Sequence, residues 1–270
     1  GGGEAQRGLR GAPPLRVDGA SASAGVRSGD DAAALDVWAV SLQRVPRRWS
    51  SLKAHWSAAG LKVRPFSAVD AASHATKRAM ARANGLPDVM CLNPECGTCH
   101  VRHAAVYLSH VLLLREIACS ERARRAWSLI VEDDARVNER VSAAQLRAFL
   151  AHETASDIVF FNRGNCQPGG VLHCGYGLYG YAVRRAAAIS LAVYLTPGSP
   201  FLSTNAERDA DAKPCLIDWE MCRAIEHLGL VATCPPWTVE HGEWIEVDPV
   251  EQAKSTVSCR GANSIAAGCR

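Results

Sequence analysis

The chain has 270 residues, 48% of them hydrophobic and 21% charged, with a formal net charge of +3. That is enough for one large domain or two small ones with a buried core. The small charge and the 6% aromatic content argue against a nucleic-acid or anionic-membrane surface.

Residues 1–35 are rich in Gly, Ala, Ser and Arg without helical or strand period, and read as a disordered or linker arm. Order begins near Val37. Val37 to Leu42 predicts a strand, and Val45 to Ala59 a helix with Pro46 in its first turn and Gly60 as its stop. Leu61 to Ala68 predicts a second strand, with Pro65 marking either an edge or an irregularity. Strand, helix, strand is the βαβ opening of a mostly parallel α/β sheet. Ala71 to Ala83 reads as a short helix, Met90 to His100 as an irregular loop, and Val101 to Cys119 as a long, half-buried helix. A third strand (Ser128 to Val131), a helix (Gln145 to His152) and a strand (Asp157 to Phe161) follow. Next come a strand at Leu178 to Val183, a helix at Arg184 to Leu195 and a polar loop at Ser199 to Lys213. A helix from Asp218 to Leu228, ended by Gly229, leads to a last short strand, Leu230 to Thr233. Residues 36–250 thus form one domain, with a polar tail over 251–270. No apolar run reaches the roughly 18–20 residues that span a bilayer. The chain opens at Gly1 and not Met, which leaves a removed leader or anchor open.

Glu132, Asp133 and Asp134 directly follow the apolar run Leu129, Ile130, Val131. Charge clustered at the carboxyl end of a buried strand is where open α/β sheets place ligands. Carboxylates this close repel unless a cation or donor lies between them, which points to Mg²⁺ or Mn²⁺ carrying phosphates. A solvated turn is the competing reading. Asn162 and Arg163 also follow a strand, so Arg163 is a candidate phosphate contact or an ordinary loop arginine. Eleven cysteines, an odd number, leave at least one thiol free, metal-bound or paired with another chain. Cys91, Cys96 and Cys99, with His100 or His103, could supply a structural zinc site; a local disulfide and unpaired thiols are the alternatives.

Six pieces in order resemble glycosyltransferase family 25, which includes bacterial lipooligosaccharide and collagen hydroxylysine galactosyltransferases. They are VWAVSLQRVPRRWSSLKAHWSAAGL, KVRPFSAVDA, YLSHVLLLREIA, SLIVEDDARV, GLYGYAVRRAAAISL and CLIDWEMCRAI, spanning roughly Val37 to Glu246. They resemble that family's opening strand and basic turn, its Val-Asp signature, its Ser-His helix, its Leu-Glu-Asp-Asp metal motif, a strand–Arg–helix element and a late Asp-bearing helix. The chain departs from the family at Ser41, where Asn is usual, and at Ala71, where Gly is usual. It also departs at Arg102 to Val106, which lacks the family's Gly-Glu-Ile-Gly-Cys run.

The resemblance implies a GT-A-like, Rossmann-related α/β fold: an open mixed sheet with helices on both faces. It implies inverting, Mn²⁺- or Mg²⁺-assisted transfer of a hexose, galactose foremost, from a UDP-sugar to a hydroxyl on a glycan or protein. Asp134 is then the expected direct metal ligand, with Glu132 or Asp133 acting through water or the ribose. His241 is a further candidate ligand or a surface histidine. Ser109 and His110 line the donor pocket or serve helix packing. Asp218 is the expected base, with Glu220 second, and a helix N-cap is the plain alternative for Asp218. The implied compartment is the ER or Golgi lumen if the chain is eukaryotic, and the cytoplasm or a membrane periphery if it is bacterial. Two other readings stand beside this one: a catalytically inactive glycosyltransferase-like binding module, favoured by the missing run, and a cysteine-rich zinc-binding interaction protein.

Overall fold

The computed structural model describes residues 35–72, 98–120, 127–162, 165–167, 171–172, 177–196, 217–235 and 244–247. In chain order the first elements are β1 (Asp36–Ser41), α1 (Pro46–Ala58), β2 (Val63–Ser67), α2 (Thr98–Cys119), β3 (Trp127–Glu132), β4 (Ala135–Val137) and α3 (Ala143–His152). They are followed by β5 (Ile158–Phe160), β6 (Cys166–Gln167), β7 (Val171–Leu172), β8 (Gly180–Arg184), α4 (Arg185–Tyr194), α5 (Ile217–Leu228), β9 (Ala232–Thr233) and β10 (Ile245–Val247). The expected arm, the helix at 71–83, the loop at 199–213 and the polar tail lie wholly or almost wholly outside the described residues.

The main sheet has six strands in the order β2-β1-β3-β8-β5-β9. β1 is parallel to β2 and β3, β8 is antiparallel to β3 and β5, and β9 is parallel to β5. The sheet is therefore mixed, and less parallel than the βαβ opening suggests. Pro65 sits on β2, an edge strand, where the missing N–H is tolerated.

Strand alternation sorts the core into two layers. Ile130, Ile158, Phe160, Tyr181 and Val183 face one cluster, with side chains from α2, α4 and α5. Leu129, Val131, Val159, Phe161 and Ala182 face the other, with α1 and α3. Helices thus cover both faces. A separate ribbon pairs β10 antiparallel with β4, and Trp244 and Ile245 join the second layer. A Cβ on Gly180 would lie 2.8 Å from Ile245, so glycine lets this ribbon lie against β8.

Local signals explain the helix ends. Pro46 opens α1 at N1, and Gly60 follows it at φ 80°, a left-handed conformation that glycine reaches freely. Gly229 does the same after α5, at φ 62°. Ser142 and Gln145 form a capping box at the start of α3. α2 begins at Thr98, so Cys99 and His100 belong to its first turn and not to the preceding loop; Cys91 and Cys96 lie outside the described residues. The sector expected to be half-buried divides in two: Ser109 and His110 are fully buried, whereas Arg102 and Glu116 are exposed. Among the described residues, no helix is long and apolar enough to cross a membrane.

A disulfide joins Cys166 in β6 to Cys234 just after β9, closing a loop of sequence separation 68, and Cys222 is disulfide-bonded as well. Cross-linking a loop of that length restricts the unfolded chain by about 4 kcal/mol on the chain-entropy model. The double substitution Cys166→Ala/Cys234→Ala is expected to lower unfolding free energy by about 3–4 kcal/mol in denaturant titrations. A loss below about 1 kcal/mol would show that the bond does little for the fold.

Candidate functional site

The connection from β1 to β2 runs through α1 on one face of the sheet, and that from β2 to β3 includes α2 on the other. Crossovers that leave a strand on opposite faces open a crevice at its carboxyl end. Here that end is Ser41 and Leu42 of the β1 strand and loop, beside Glu132 and the two-residue turn Asp133–Asp134 that joins β3 to β4. α1 fixes the turn from one side. Trp56, fully buried, donates its Nε1–H to the Ala135 carbonyl at 3.0 Å, and His55 Nε2 lies 2.9 Å from the Val137 carbonyl.

Alternation then assigns the three carboxylates different surroundings. Asp133 shares the parity of Leu129 and Val131 and turns toward α1. It accepts from the Leu42 N–H at 3.1 Å and from the Arg48 guanidinium at 3.0 Å. Burial raises its pKa, against the opposing effects of the Leu42 N–H and Arg48. Asp133, expected as a metal or ribose ligand, thus has a carboxylate that accepts from both Leu42 and Arg48 and ties the turn to α1.

Glu132 shares the parity of Ile130 and reaches the α2 side, where its Oε1 lies 3.4 Å from His110 Nε2. His110 Nδ1 is 3.1 Å from the Tyr181 hydroxyl, and the two rings stack. His110 and Tyr181 are fully buried, and burial, followed by the charges of Glu132 and Asp218, raises the Tyr181 pKa. His110 therefore links the sheet interior to Glu132.

Asp134 is the unsatisfied member. Its Oδ1 is buried and has no hydrogen-bond partner. Burial first, then the charges of Glu132 and Asp133, push its pKa up to about 7, with Arg48 opposing. A buried acceptor left without a donor costs about 1–3 kcal/mol. A cation between Asp134 and Glu132 would remove both the repulsion and the orphaned oxygen. Among the described residues no group of three His, Cys, Asp or Glu side chains is set to hold a metal ion. Two protein carboxylates, with water and phosphate oxygens completing the shell, suit Mg²⁺ or Mn²⁺.

Ser109 does not reach this centre. Its hydroxyl donates to the Ala105 carbonyl at 2.7 Å and accepts the Val69 N–H at 2.9 Å, tying the loop after β2 to α2. In that loop Asp70 accepts from the Ala72 N–H and the Arg44 guanidinium, each at 2.9 Å. Burial alone would raise the Asp70 pKa, but these two donors lower it.

Asp218 lies in the first turn of α5, one residue inside the helix and not at its N-cap. Its Oδ2 accepts the Gly177 N–H at 2.7 Å. Burial raises its pKa, the Gly177 N–H lowers it, and Glu132 and His110 act on it in opposite directions, so it belongs to the same electrostatic cluster. Glu220, the other expected base, is buried, lies 3.9 Å from Arg223 and exerts its charge on Tyr194. Arg163 and His241 lie outside the described residues. Nothing in the local pattern singles out Arg48, Tyr181, Asn165 or Gly177 for these contacts. The basic turn that carries Arg48 was the one available signal.

No model of a known protein family matches the chain, and no curated protein matches it.

The Asp134 proton gives a sign to the pH dependence. Its folded pKa of about 7 exceeds the ordinary carboxyl value of 3.8, so its contribution to stability is complete below about pH 4 and lost as pH rises through 7. Without divalent cation, Asp134→Asn is expected to raise the melting temperature at pH 8 and to change it little at about pH 4, where the contribution is still intact. Equal shifts at both pH values would show that Asp134 ionises normally.

Proposed function

We propose that this chain is a glycosyltransferase of GT-A-like architecture that moves a hexose, galactose foremost, from a UDP-sugar to a hydroxyl of a glycan or protein acceptor. The observation that carries the reading is the unpartnered, buried carboxylate oxygen of Asp134 at the carboxyl end of β3, beside Glu132 and inside the crevice between opposite crossovers. The six ordered pieces that resemble glycosyltransferase family 25 agree with it, and so does the mixed sheet with helices on both faces.

Asp134 and Glu132 would hold Mn²⁺ or Mg²⁺, which when bound stabilises charge on the departing diphosphate as a Lewis acid. Asp133 and Arg48 keep the turn in place. His110, held by Tyr181, orients Glu132. In an inverting displacement the acceptor oxygen bonds to the anomeric carbon while the carbon–oxygen bond to the diphosphate breaks and UDP leaves. The acceptor's proton passes to Asp218, whose carboxylate burial makes more basic than an exposed one. The Cys166–Cys234 disulfide favours an oxidising compartment such as a secretory lumen.

A second reading, an inactive glycosyltransferase-like binding module, draws on Asp133 being committed to Leu42 and Arg48, and on the lack of a three-residue metal group among the described residues. A third reading, a zinc-binding interaction protein, rests on Cys91, Cys96 and Cys99, whose side chains lie outside the described residues.

Hydrolysis of UDP-hexoses with Mn²⁺ separates these readings. The wild-type chain is expected to release UDP, and Asp134→Ala to lose at least about 100-fold in kcat/KM, the scale of removing one charge-stabilising group. Equal turnover by the variant would refute the metal site, and UDP binding without turnover on any donor or acceptor would favour the inactive module.

A further inference from the structure

Around Gly177 lies a polar network that the reading above does not use. Asn162 and Asn165 are both buried, at 0% and 1% exposure, immediately after β5. The Asn165 Nδ2 group donates to the Gly177 carbonyl at 2.8 Å and to Asn162 Oδ1 at 3.1 Å, and Asn162 Nδ2 donates to the same Gly177 carbonyl. On the other side of the Gly177 Cα, its N–H donates to Asp218 Oδ2 at 2.7 Å. Gly177 itself stands at φ 106°, and a Cβ there would meet the Tyr179 ring at 2.5 Å. Glycine suits this position, and the bonds to its carbonyl and from its N–H fix the two peptide planes that meet at its Cα.

Two further features bear on Asn165. Its Oδ1 is buried without a partner, because both carbonyl-type acceptors nearby require the amide to present its nitrogen. A buried carbonyl oxygen left unsatisfied is unfavourable, so this side chain contributes less to stability than its burial implies. The next residue, Cys166, is locked by its disulfide to Cys234, whose sulfur lies 3.7 Å from the Asn165 carbonyl. Asn165 is clamped from both sides while one of its own atoms goes unpaired.

We propose that Asn165 is a positioning residue for Asp218: with Asn162 it fixes the Gly177 carbonyl, and the Gly177 N–H in turn holds the Asp218 carboxylate at the crevice. The proposal rests on Asp218 being the base of the transfer reaction. The side chains that act on Asp218 are Glu132 from β3 and His110 from α2, and Asp218 in turn acts on Tyr181 from β8. None of them is touched by changing Asn165. The Gly177 N–H is the main group opposing the effect of burial on this carboxyl, so freeing it favours the protonated form.

The test follows the Asp218 carboxyl carbon by ¹³C NMR against pH in the intact chain, its resonance identified by its absence in Asp218→Asn. Asn165→Ala is expected to move the Asp218 titration upward by about one pH unit, the scale of one lost charge-assisted hydrogen bond, with only a small fall in melting temperature. If Asn165→Ala does not fold, Asn165→Ser, which keeps a small polar side chain, carries the same expectation. Rescue of the wild-type titration by Asn165→Gln, which can present the same amide nitrogen, would support the positioning role. An Asp218 titration unchanged in the folded variant overturns the proposal. Where UDP-hexose turnover is present, the acid limb of kcat moves up with the titration while KM for the donor holds; a shift in KM alone also overturns it. Absence of turnover in the wild-type chain removes the transfer reading and leaves the NMR titration to decide the coupling.

Discussion

Two hydrogen bonds to Asp133 organise the candidate site. The Leu42 N–H and the Arg48 guanidinium hold that carboxylate, and with it the turn between β3 and β4, against the start of α1. Chain alternation does the rest. With Asp133 drawn to one side of the sheet, Glu132 faces the helix on the other, and Asp134 is left in the turn between them without a donor for one oxygen. Three adjacent acids therefore have three different roles, set by parity and by one arginine on another element. A solvated acidic turn would spread its charges into water. This one holds them close together, and burial first, then the charges of Glu132 and Asp133, raises the pKa of Asp134.

The crevice has the same economy. Opposite crossovers from the strands at its floor separate α1 from α2, and each helix sends polar groups to the gap: Arg48 from one, His110 from the other. Ser109 and Asp70 hold the loop after β2 in place, so the walls are fixed by hydrogen bonds distributed over several elements and not by one rigid insertion.

Much of the frame was legible beforehand. Short apolar runs marked β1, β3 and β5; Pro46, Gly60 and Gly229 marked helix ends; Pro65 marked an edge or an irregularity. These are local signals, carried by residues whose conformational preferences act at their own positions. What was not legible depends on distant partners. β4 and β10 are three residues each and pair only with one another, so neither shows a period of its own. The surroundings of Asp133 and Glu220 were not legible, because Arg48 supplies one from another element and Arg223 with Tyr194 the other. The Asp218 carboxylate could be read as a helix cap, but its actual donor is a glycine N–H from another part of the chain.

The β4–β10 ribbon also sets a condition on assembly. Ala135, directly after the acidic turn, pairs with Val247, near the end of the described chain. Contacts between such distant segments cost a loop-closure entropy that local helices do not. The ribbon is held in place by the burial of Trp244 and Ile245 in the second layer and by the close approach of Ile245 to Gly180. A side chain at position 180 would therefore act on the acidic turn at a distance, by displacing the strand that pairs with Ala135.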